Sequence, residues 1–529
     1  DGYVIFASKT NNISDPVDNT DIIIDSDLSD GVGAVKVTSG VQTFSGWTSA
    51  SINSINYFKI YSYTNSGNYI NYKTTTLVPL HIYTPPVTFT EQTGISILGS
   101  YEGSIDWGDY DNDGYLDILR TGEFDNTRRT IIYHNNGDNT FTEQASIVLE
   151  QIFYGTAVWG DYNNDGYLDI MLTGATGAKS VSIVYSNNGN GTFTEQSRII
   201  LDQIVSGDAA WGDYNNDGHL DILYSGNANS IQQTNLMRNR GDSTFTKLTV
   251  LPSSWKITSV EWGDYNNDGY LDVLTTGNNG YAVFVTKLYR NNGDNTFTEQ
   301  TSTLFKNVDG SGKFGDYNND GYLDILLNGP STGWTPITVV YKNNGDGTFS
   351  EQTITDLKGS FGTVEWGDYN NDGYLDILQT GYPNYLSYSS ASKVYRNTGS
   401  GDFINETGAT LENISDGSAT WADYDNDGDL DILLNGSMNG VGISKIYQNN
   451  GILTNTVPQA PANMQATVVG TSVTLSWDKT NDEETSQSGL SYNIYVGTSP
   501  TKQDIYSSNA DIISGHGRLA KRGDLQTNR

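Results

Sequence analysis

Asp109, Asp111, Asp113 and Asp117 stand at positions 1, 3, 5 and 9 of a nine-residue stretch, with Gly114 at position 6 and Tyr115 at position 7. Oxygen-bearing side chains at alternate positions can converge on one ion when the chain turns sharply, and Gly permits the turn. Hard cations such as Ca²⁺ take several oxygen ligands at roughly 2.4 Å, so the four side chains and the carbonyl of residue 7 form a calcium-type donor set. An EF-hand would carry a bidentate Glu at position 12 between helices. Here position 9 is Asp and leads into a strand-like run, Leu116 to Leu119.

The pattern recurs in register. The second loop offers Asp161, Asn163, Asp165, Tyr167 and Asp169; the third Asp213, Asn215, Asp217, His219 and Asp221. The fourth offers Asp264, Asn266, Asp268, Tyr270 and Asp272; the fifth Asp316, Asn318, Asp320, Tyr322 and Asp324. The sixth offers Asp368, Asn370, Asp372, Tyr374 and Asp376; the seventh Asp423, Asp425, Asp427, Asp429 and Asp431. One copy could be an Asx-rich solvated turn; seven in register argue for metal. Position 3 is Asp only in the first and seventh loops, and the lower charge of the five between predicts weaker binding there. Affinities are expected in the extracellular range, roughly 10⁻⁴ to 10⁻³ M or somewhat tighter. About seven Ca²⁺, one per repeat, would bring the formal charge from −34 to −20. Their expected role is mainly structural, each ion pinning its loop.

The elements that position these loops follow from the period. Loop starts are separated by 52, 52, 51, 52, 52 and 55 residues, a spacing typical of units that bury their core only by stacking on neighbours. Each unit divides into four short β-like stretches. The first ends in an aromatic and a small residue, as in Trp107-Gly108; the second follows the loop; the third ends near Tyr133; the fourth centres on Phe141 after an Asn-Gly turn. Asn-Gly between β-rich runs is a hairpin signal. The prediction is an all-β fold, a seven-bladed propeller of four-stranded blades. The seventh unit lacks its fourth strand, whereas Val87 to Gln92 matches one and precedes the first complete unit. That N-terminal strand is expected to complete the last blade and pair its open edge.

Composition narrows the partners. Sixty-two acidic residues against 28 basic ones leave no basic patch for nucleic acid. Twenty-four of the 62 lie in the seven loops, which points to cations. Cysteine is lacking, so there is no disulfide framework. No run approaches the roughly 18 apolar residues of a membrane span. The start at Asp1 suggests a piece of an exported precursor, secreted or displayed on a cell surface, with a bacterial source expected.

The Trp-Gly-Asp-Tyr-[Asp/Asn]-Asn-Asp-Gly-x-Leu-Asp core of these units resembles the FG-GAP/VCBS repeats of integrin α-subunit propellers and bacterial surface proteins. The resemblance covers residues 87 to about 455 and implies a seven-bladed propeller whose loops bind Ca²⁺. Departures are Phe314 for Trp, Ala422 for Gly, and His219 and Asp429 at position 7. The last two would still coordinate through the backbone.

The flanks resemble fibronectin type III modules less specifically. The expected division is a partial sandwich at 1–84, the propeller at 85–457 and a second partial sandwich at 458–529. Residues 1–84 offer strands like the third and penultimate ones, and 458–529 the opening ones. A longer array of modules, of which this chain is a portion, would explain both. The alternative is strand complementation between subunits, a head-to-tail self-association.

Other candidates are weaker. Arg522-Gly523-Asp524 is a common tripeptide. His81, His134, His219 and His516 are scattered and predict neither a zinc site nor a general base. No nucleophile elbow, zinc-protease or P-loop motif occurs. Trp255 and Trp334 fall outside the blade register and could be surface platforms. The segments Gly329 to Pro336 and Tyr382 to Ser392 are irregular but short. The expectation is a non-enzymatic protein of adhesion, binding or surface assembly with a protein or carbohydrate ligand. The alternative is a lectin or a non-catalytic part of a polysaccharide-degrading enzyme.

Overall fold

The computed structural model describes residues 88–451 except 230, 250, 252–254, 280–282 and 384–389. Of residues 1–87 it describes four strands without side chains, and of 452–529 it describes 460–469, 472–480, 490, 492–499, 505–506, 509–510 and 518–519. Two compact units result, Asp1–Thr88 with Asn450–Thr454, and Phe89–Asn449 with Asn455–Arg529. Arg522-Gly523-Asp524, His81 and His516 lie outside the described residues.

The second unit holds seven four-stranded antiparallel sheets. Blade 1 runs Ile105–Gly108, Asp117–Phe124, Thr127–Asn135 and Phe141–Glu143 in that order. Blades 2 to 6 repeat the order with first strands Phe153–Gly160, Ala209–Gly212, Lys256–Gly263, Ser311–Gly315 and Val364–Gly367. Each acidic loop joins the first strand to the second. Asn-Gly-type turns close the third and fourth strands, with Gly137 at φ 69° and Gly189 at φ 65°, a region that suits Gly. The segment at Gly329 to Pro336 proves more regular than its sequence suggests. Asp324–Ser331 and Thr335–Asn343 run almost to their hairpin, turned by the short 3₁₀ segment Thr332–Trp334.

Blade 7 closes the ring. Ser415–Ala422, Asp431–Met438 and Val441–Asn449 come from the end of the repeat, and the outer strand is Phe89–Glu91. It pairs antiparallel with Tyr447 opposite Glu91, Gln448 opposite Thr90 and Asn449 opposite Phe89. The predicted closure is therefore the observed one.

The apolar core lies between blades. One cluster joins Tyr110, Leu119 and Ile132 of blade 1 to Ile152, Trp159 and Leu172 of blade 2. At the seam, Trp107, Ile118 and Tyr133 meet Ala422, Tyr424, Leu433 and Ile446. Tyr residues at loop position 2 stack on the next blade's Trp: Tyr110 on Trp159, Tyr162 on Trp211, Tyr214 on Trp262, Tyr317 on Trp366 and Tyr369 on Trp421. Their centroids are 5.9–6.4 Å apart and their planes within 13°. The Gly before each loop is a requirement of this approach. A Cβ at Gly160 would sit 2.5 Å from the Trp211 ring. Only the seam tolerates a methyl there, at Ala422, which is buried against Trp107 and its neighbours. Trp255, outside the blade register, packs partly buried against Leu251, Ile257 and Val260, whereas Trp334 is half exposed.

The first unit's strands Gly2–Ser8, Val32–Thr38, Tyr57–Ser66 and Tyr69–Tyr72 form one antiparallel sheet. Gly2–Ser8 lies between Val32–Thr38 and Tyr57–Ser66. In the other unit, Ala462–Val469 pairs with Ser472–Asp478 as a hairpin.

Phe89, 7% exposed, is the apolar anchor of the closing strand and packs against Tyr369 and Trp421. Phe89→Ala is expected to lower stability by about 3–5 kcal/mol, read from urea unfolding. A loss below about 1 kcal/mol would show that the closing strand lies outside the cooperative unit.

Candidate metal centres

All seven loops fold alike because the same hydrogen bonds recur in each. The carboxylate at position 1 accepts the backbone N–H groups of positions 5 and 6, as Asp109 does from Asp113 at 3.0 Å and Gly114 at 2.9 Å. Asp161, Asp213, Asp264, Asp316, Asp368 and Asp423 do the same. The carboxylate at position 5 accepts the N–H of residue 7, as Asp113 does from Tyr115. Position 9 is the most buried: Asp117, Asp169, Asp221, Asp272, Asp324 and Asp376 are fully enclosed and Asp431 nearly so. Each of these carboxylates accepts one N–H from the Tyr at position 2 and one from an Asn of the third strand. For Asp117 these are Tyr110 at 3.1 Å and Asn135 at 2.8 Å.

The sequence reading passed over loop position 4. Asn112, Asn164, Asn216, Asn267, Asn319, Asn371 and Asn426 all have φ between 54° and 61°, a left-handed region that Asn tolerates better than most side chains. Each donates its amide to the position-6 carbonyl of the next loop: Gly166, Gly218, Gly269, Gly321, Gly373, Gly428 and, from Asn426, Gly114. The bonds measure 2.5–3.2 Å and close a ring around all seven blades. A second ring runs beneath it. Asn135, Asn187, Asn239, Asn291, Asn343, Asn397 and Asn449, all buried, donate to the position-2 Tyr carbonyl of the preceding blade. The only signal available for these links between blades was repetition, since the linking partner lies in another repeat.

The donors fit a hard cation. In the first loop, carboxylate oxygens of Asp109, Asp111 and Asp117 lie within 4.8 Å of one another, and in the seventh those of Asp423, Asp425 and Asp431 do so. The Asp425 Oδ1 atom is buried with no hydrogen-bond partner among the described residues. Position 3 behaves differently in three of the five loops where it is Asn. Asn215, Asn266 and Asn318 turn their amide N–H toward the position-9 carboxylate, at 2.9–3.2 Å. Among the described residues this convergence of three carboxylates is confined to the first and seventh loops; in the other five the same positions lie in the same loop fold with Asn at position 3.

His134, set aside in the sequence as scattered, sits on the first loop. Its Nδ1 lies 3.2 Å from Asp111 and 3.3 Å from Asp117, and its Nε2 3.9 Å from Asp113. The adjacent Asp117 carboxylate pushes its pKa up to about 9 against the effect of burial. His219, at position 7 of the third loop, lies 3.3 Å from Asn164 of the second. The C-terminal stretch also reaches the loops. The Arg518 carbonyl accepts the Asp109 N–H at 2.9 Å. The Arg518 guanidinium is buried, donates to Gly166 O at 2.6 Å and lies 3.9 Å from Asp161.

The first strands of all seven blades line an axial cavity of about 1490 Å³, which Val473, Leu475, Ile494, Val496, Ile505 and Tyr506 of the C-terminal stretch also border. Lys313, Asp106 and Asp208 near its wall are engaged internally. Lys313 lies 2.7 Å from Glu365 and 3.9 Å from Glu261. Burial alone would lower the lysine's pKa, but these carboxylates hold it above the usual lysine range. Asp106 accepts the N–H of Trp107 and Trp159, and Asp208 those of Ala209 and Val260. Trp334 lies on the cavity wall, edge-on to Phe284.

Two predictions follow from this geometry. Asn216→Ala removes the amide bond to Gly269 and leaves a Cβ at φ 57°, so stability should drop by about 1–2 kcal/mol; Asn216→Gly should cost less. Equal urea midpoints for wild type and Asn216→Ala would refute the role of this bond. Burial, reinforced by neighbouring carboxylates, raises Asp109, Asp213, Asp264 and Asp423 to about 6, Asp117 to about 7 and Asp272 to about 8. Unfolded carboxyls titrate near roughly 4, so the folded state binds more protons and stability falls as pH rises through these raised values. Chelator-treated protein should therefore melt at a lower temperature at pH 8 than at pH 5. A melting temperature that rises over this interval would contradict the burial of these groups.

Comparison with known proteins places the repeat. The model of the FG-GAP-like repeat matches residues 109–172, 161–224, 213–275, 271–327, 316–378 and 381–434. The chain is 27% identical over 252 residues to the human T-cell immunomodulatory protein and 25% identical over 250 residues to the mouse protein. Each alignment covers 42% of this chain and 40% of the relative, so the match spans well under half of those proteins. Among solved structures, an endo-arabinase from Bacteroides thetaiotaomicron aligns over 58% of this chain and 95% of its own, at 14% identity and a TM-score of 0.29. A family 117 glycoside hydrolase from Zobellia galactanivorans aligns over 69% and 90%, at 8% identity and a TM-score of 0.23. At those scores neither enzyme bears on the chemistry of this chain. With six overlapping or successive matches across most of its propeller, the chain belongs to the FG-GAP-like repeat family.

Proposed function

We propose that this chain is a non-enzymatic calcium-binding propeller, exported and acting in adhesion, ligand binding or assembly of an extracellular structure. The observation that carries the calcium reading is the recurrence of one oxygen-rich loop fold in all seven blades, with carboxylates converging at the first and seventh. Calcium would compensate groups whose burial otherwise raises their pKa, and would tie the first strand of each blade to the second. The family's repeat and the closed ring support a scaffold role. The axial cavity supports the non-enzymatic reading, because Asp106, Asp208 and Lys313 on its wall are held by backbone amides or by a neighbouring carboxylate. The partner would be a protein or carbohydrate ligand, and the terminal segments would offer sites for further modules or for self-association.

The test is calcium removal and return. Calorimetry on chelated, folded protein should show calcium uptake near roughly 10⁻⁴ to 10⁻³ M or tighter. Saturating calcium at ten times such a Kd should stabilise by about 1.4 kcal/mol per site in the linkage limit, seen as a rise in melting temperature. Folded protein that takes up no calcium would sink the reading.

A further inference from the structure

The seven loops carry the same donor pattern but differ in the side chain that the third strand aims at them. In blades 3, 4 and 5 that side chain is a cation already paired with the position-5 carboxylate. Arg238 lies 3.0 Å from Asp217, Arg290 3.0 Å from Asp268 and Lys342 3.2 Å from Asp320. The same three loops have their position-3 Asn amide turned onto the position-9 carboxylate. Their three carboxylates are therefore internally compensated twice, by a cation and by an amide. An incoming ion must displace the cation from position 5 and turn the amide oxygen inward.

Blade 7 is the opposite case. Its loop carries five carboxylates, and its third strand presents neutral Gln448, which donates to Asp425 Oδ2 at 2.7 Å. No basic side chain among the described residues lies within 4.0 Å of a carboxylate of this loop, and Asp425 Oδ1 is buried without a hydrogen-bond partner. The first loop has four carboxylates faced by His134, and the second has Arg518 near Asp161. In blade 6 the corresponding Arg396 is drawn to Glu406 at 3.9 Å.

The seventh loop also belongs to the one blade whose four strands are not consecutive in the chain. There Phe89–Glu91 completes the blade and Asn426 bonds across to Gly114 of the first loop. Resting on the calcium reading above, we propose that the seventh loop fills first and clamps the closure seam. The third to fifth loops fill last, because Arg238, Arg290 and Lys342 act as resident competitors for the ion. Attraction between the ion and uncompensated carboxylates sets the order.

The experiment is calcium titration of the full chain by calorimetry, with melting temperature followed at each equivalent. Wild type should show a tight phase of about one site, whose filling gives the largest single rise in melting temperature, followed by weaker phases. Asp425→Asn should weaken the tight phase on the order of tenfold or more, since even groups behind a ligand have effects of that size. It should also remove the early rise in melting temperature. The combined variant Arg238→Gln, Arg290→Gln and Lys342→Gln alters partly exposed side chains and should fold. It should tighten the weak phase by about two- to fivefold per site, the size of an exposed ion pair, and leave the tight phase unchanged. Seven equivalent sites insensitive to both variants would overturn the order while leaving calcium binding intact. Folded protein that binds no calcium would instead overturn the underlying reading.

Discussion

A four-stranded blade of about fifty residues has two faces and no interior of its own, and everything else in the propeller follows from that constraint. The apolar side chains of each blade become a core only when the next blade covers them. The close approach needed is visible where the Trp211 ring lies over the backbone of Gly160, which leaves no room for a Cβ. Stacking of a loop Tyr on the following Trp extends the same contact outward. A ring built this way closes with one blade whose outer strand the continuing chain does not supply. A borrowed strand, Phe89–Glu91, supplies the missing edge.

The polar layer at the loop end obeys a similar logic. Asn at loop position 4 and Asn at the end of the third strand each reach into a neighbouring repeat, so the blades are joined by two closed circuits of hydrogen bonds as well as by apolar contact. The third-strand amides are buried and costly to leave unpaired, which ties the conformation of each loop to the presence of its neighbour. Cooperativity between blades therefore has two sources, and the loops sit where they meet. A carboxylate at position 9 shares this layer. It is enclosed, it accepts two backbone N–H groups, and it remains part of a cluster of like charges.

Much of the fold was legible along the chain. The period, the hairpin turns, the seven loops and the stray fourth strand at Val87 to Gln92 were all readable, because each is a local pattern repeated. The roles of Asn112, Asn135 and their counterparts were not, although they repeat as faithfully. The carbonyls by which they join blades stand a blade away, so no local spacing reveals those links. The setting of His134 was hidden too, although its partners lie in its own blade. Scattered in sequence, it is brought by the third strand of blade 1 onto Asp111, Asp113 and Asp117. Trp255 illustrates the converse, since leaving the blade register did not expose it.

By itself the sequence determined the architecture, the number of blades, the closure and the positions of the oxygen donors. These depend on short-range periodicity and on residue types whose conformational preferences act locally. Only the tertiary structure decided how the loops differ. Which loop faces Arg238, Gln448 or Arg518, and which joins the seam, depends on the packing of third strand and neighbouring blade around it. Charge compensation is a property of distance in space: Arg238 meets Asp217 when one blade folds, and Asn426 meets Gly114 only when the ring closes.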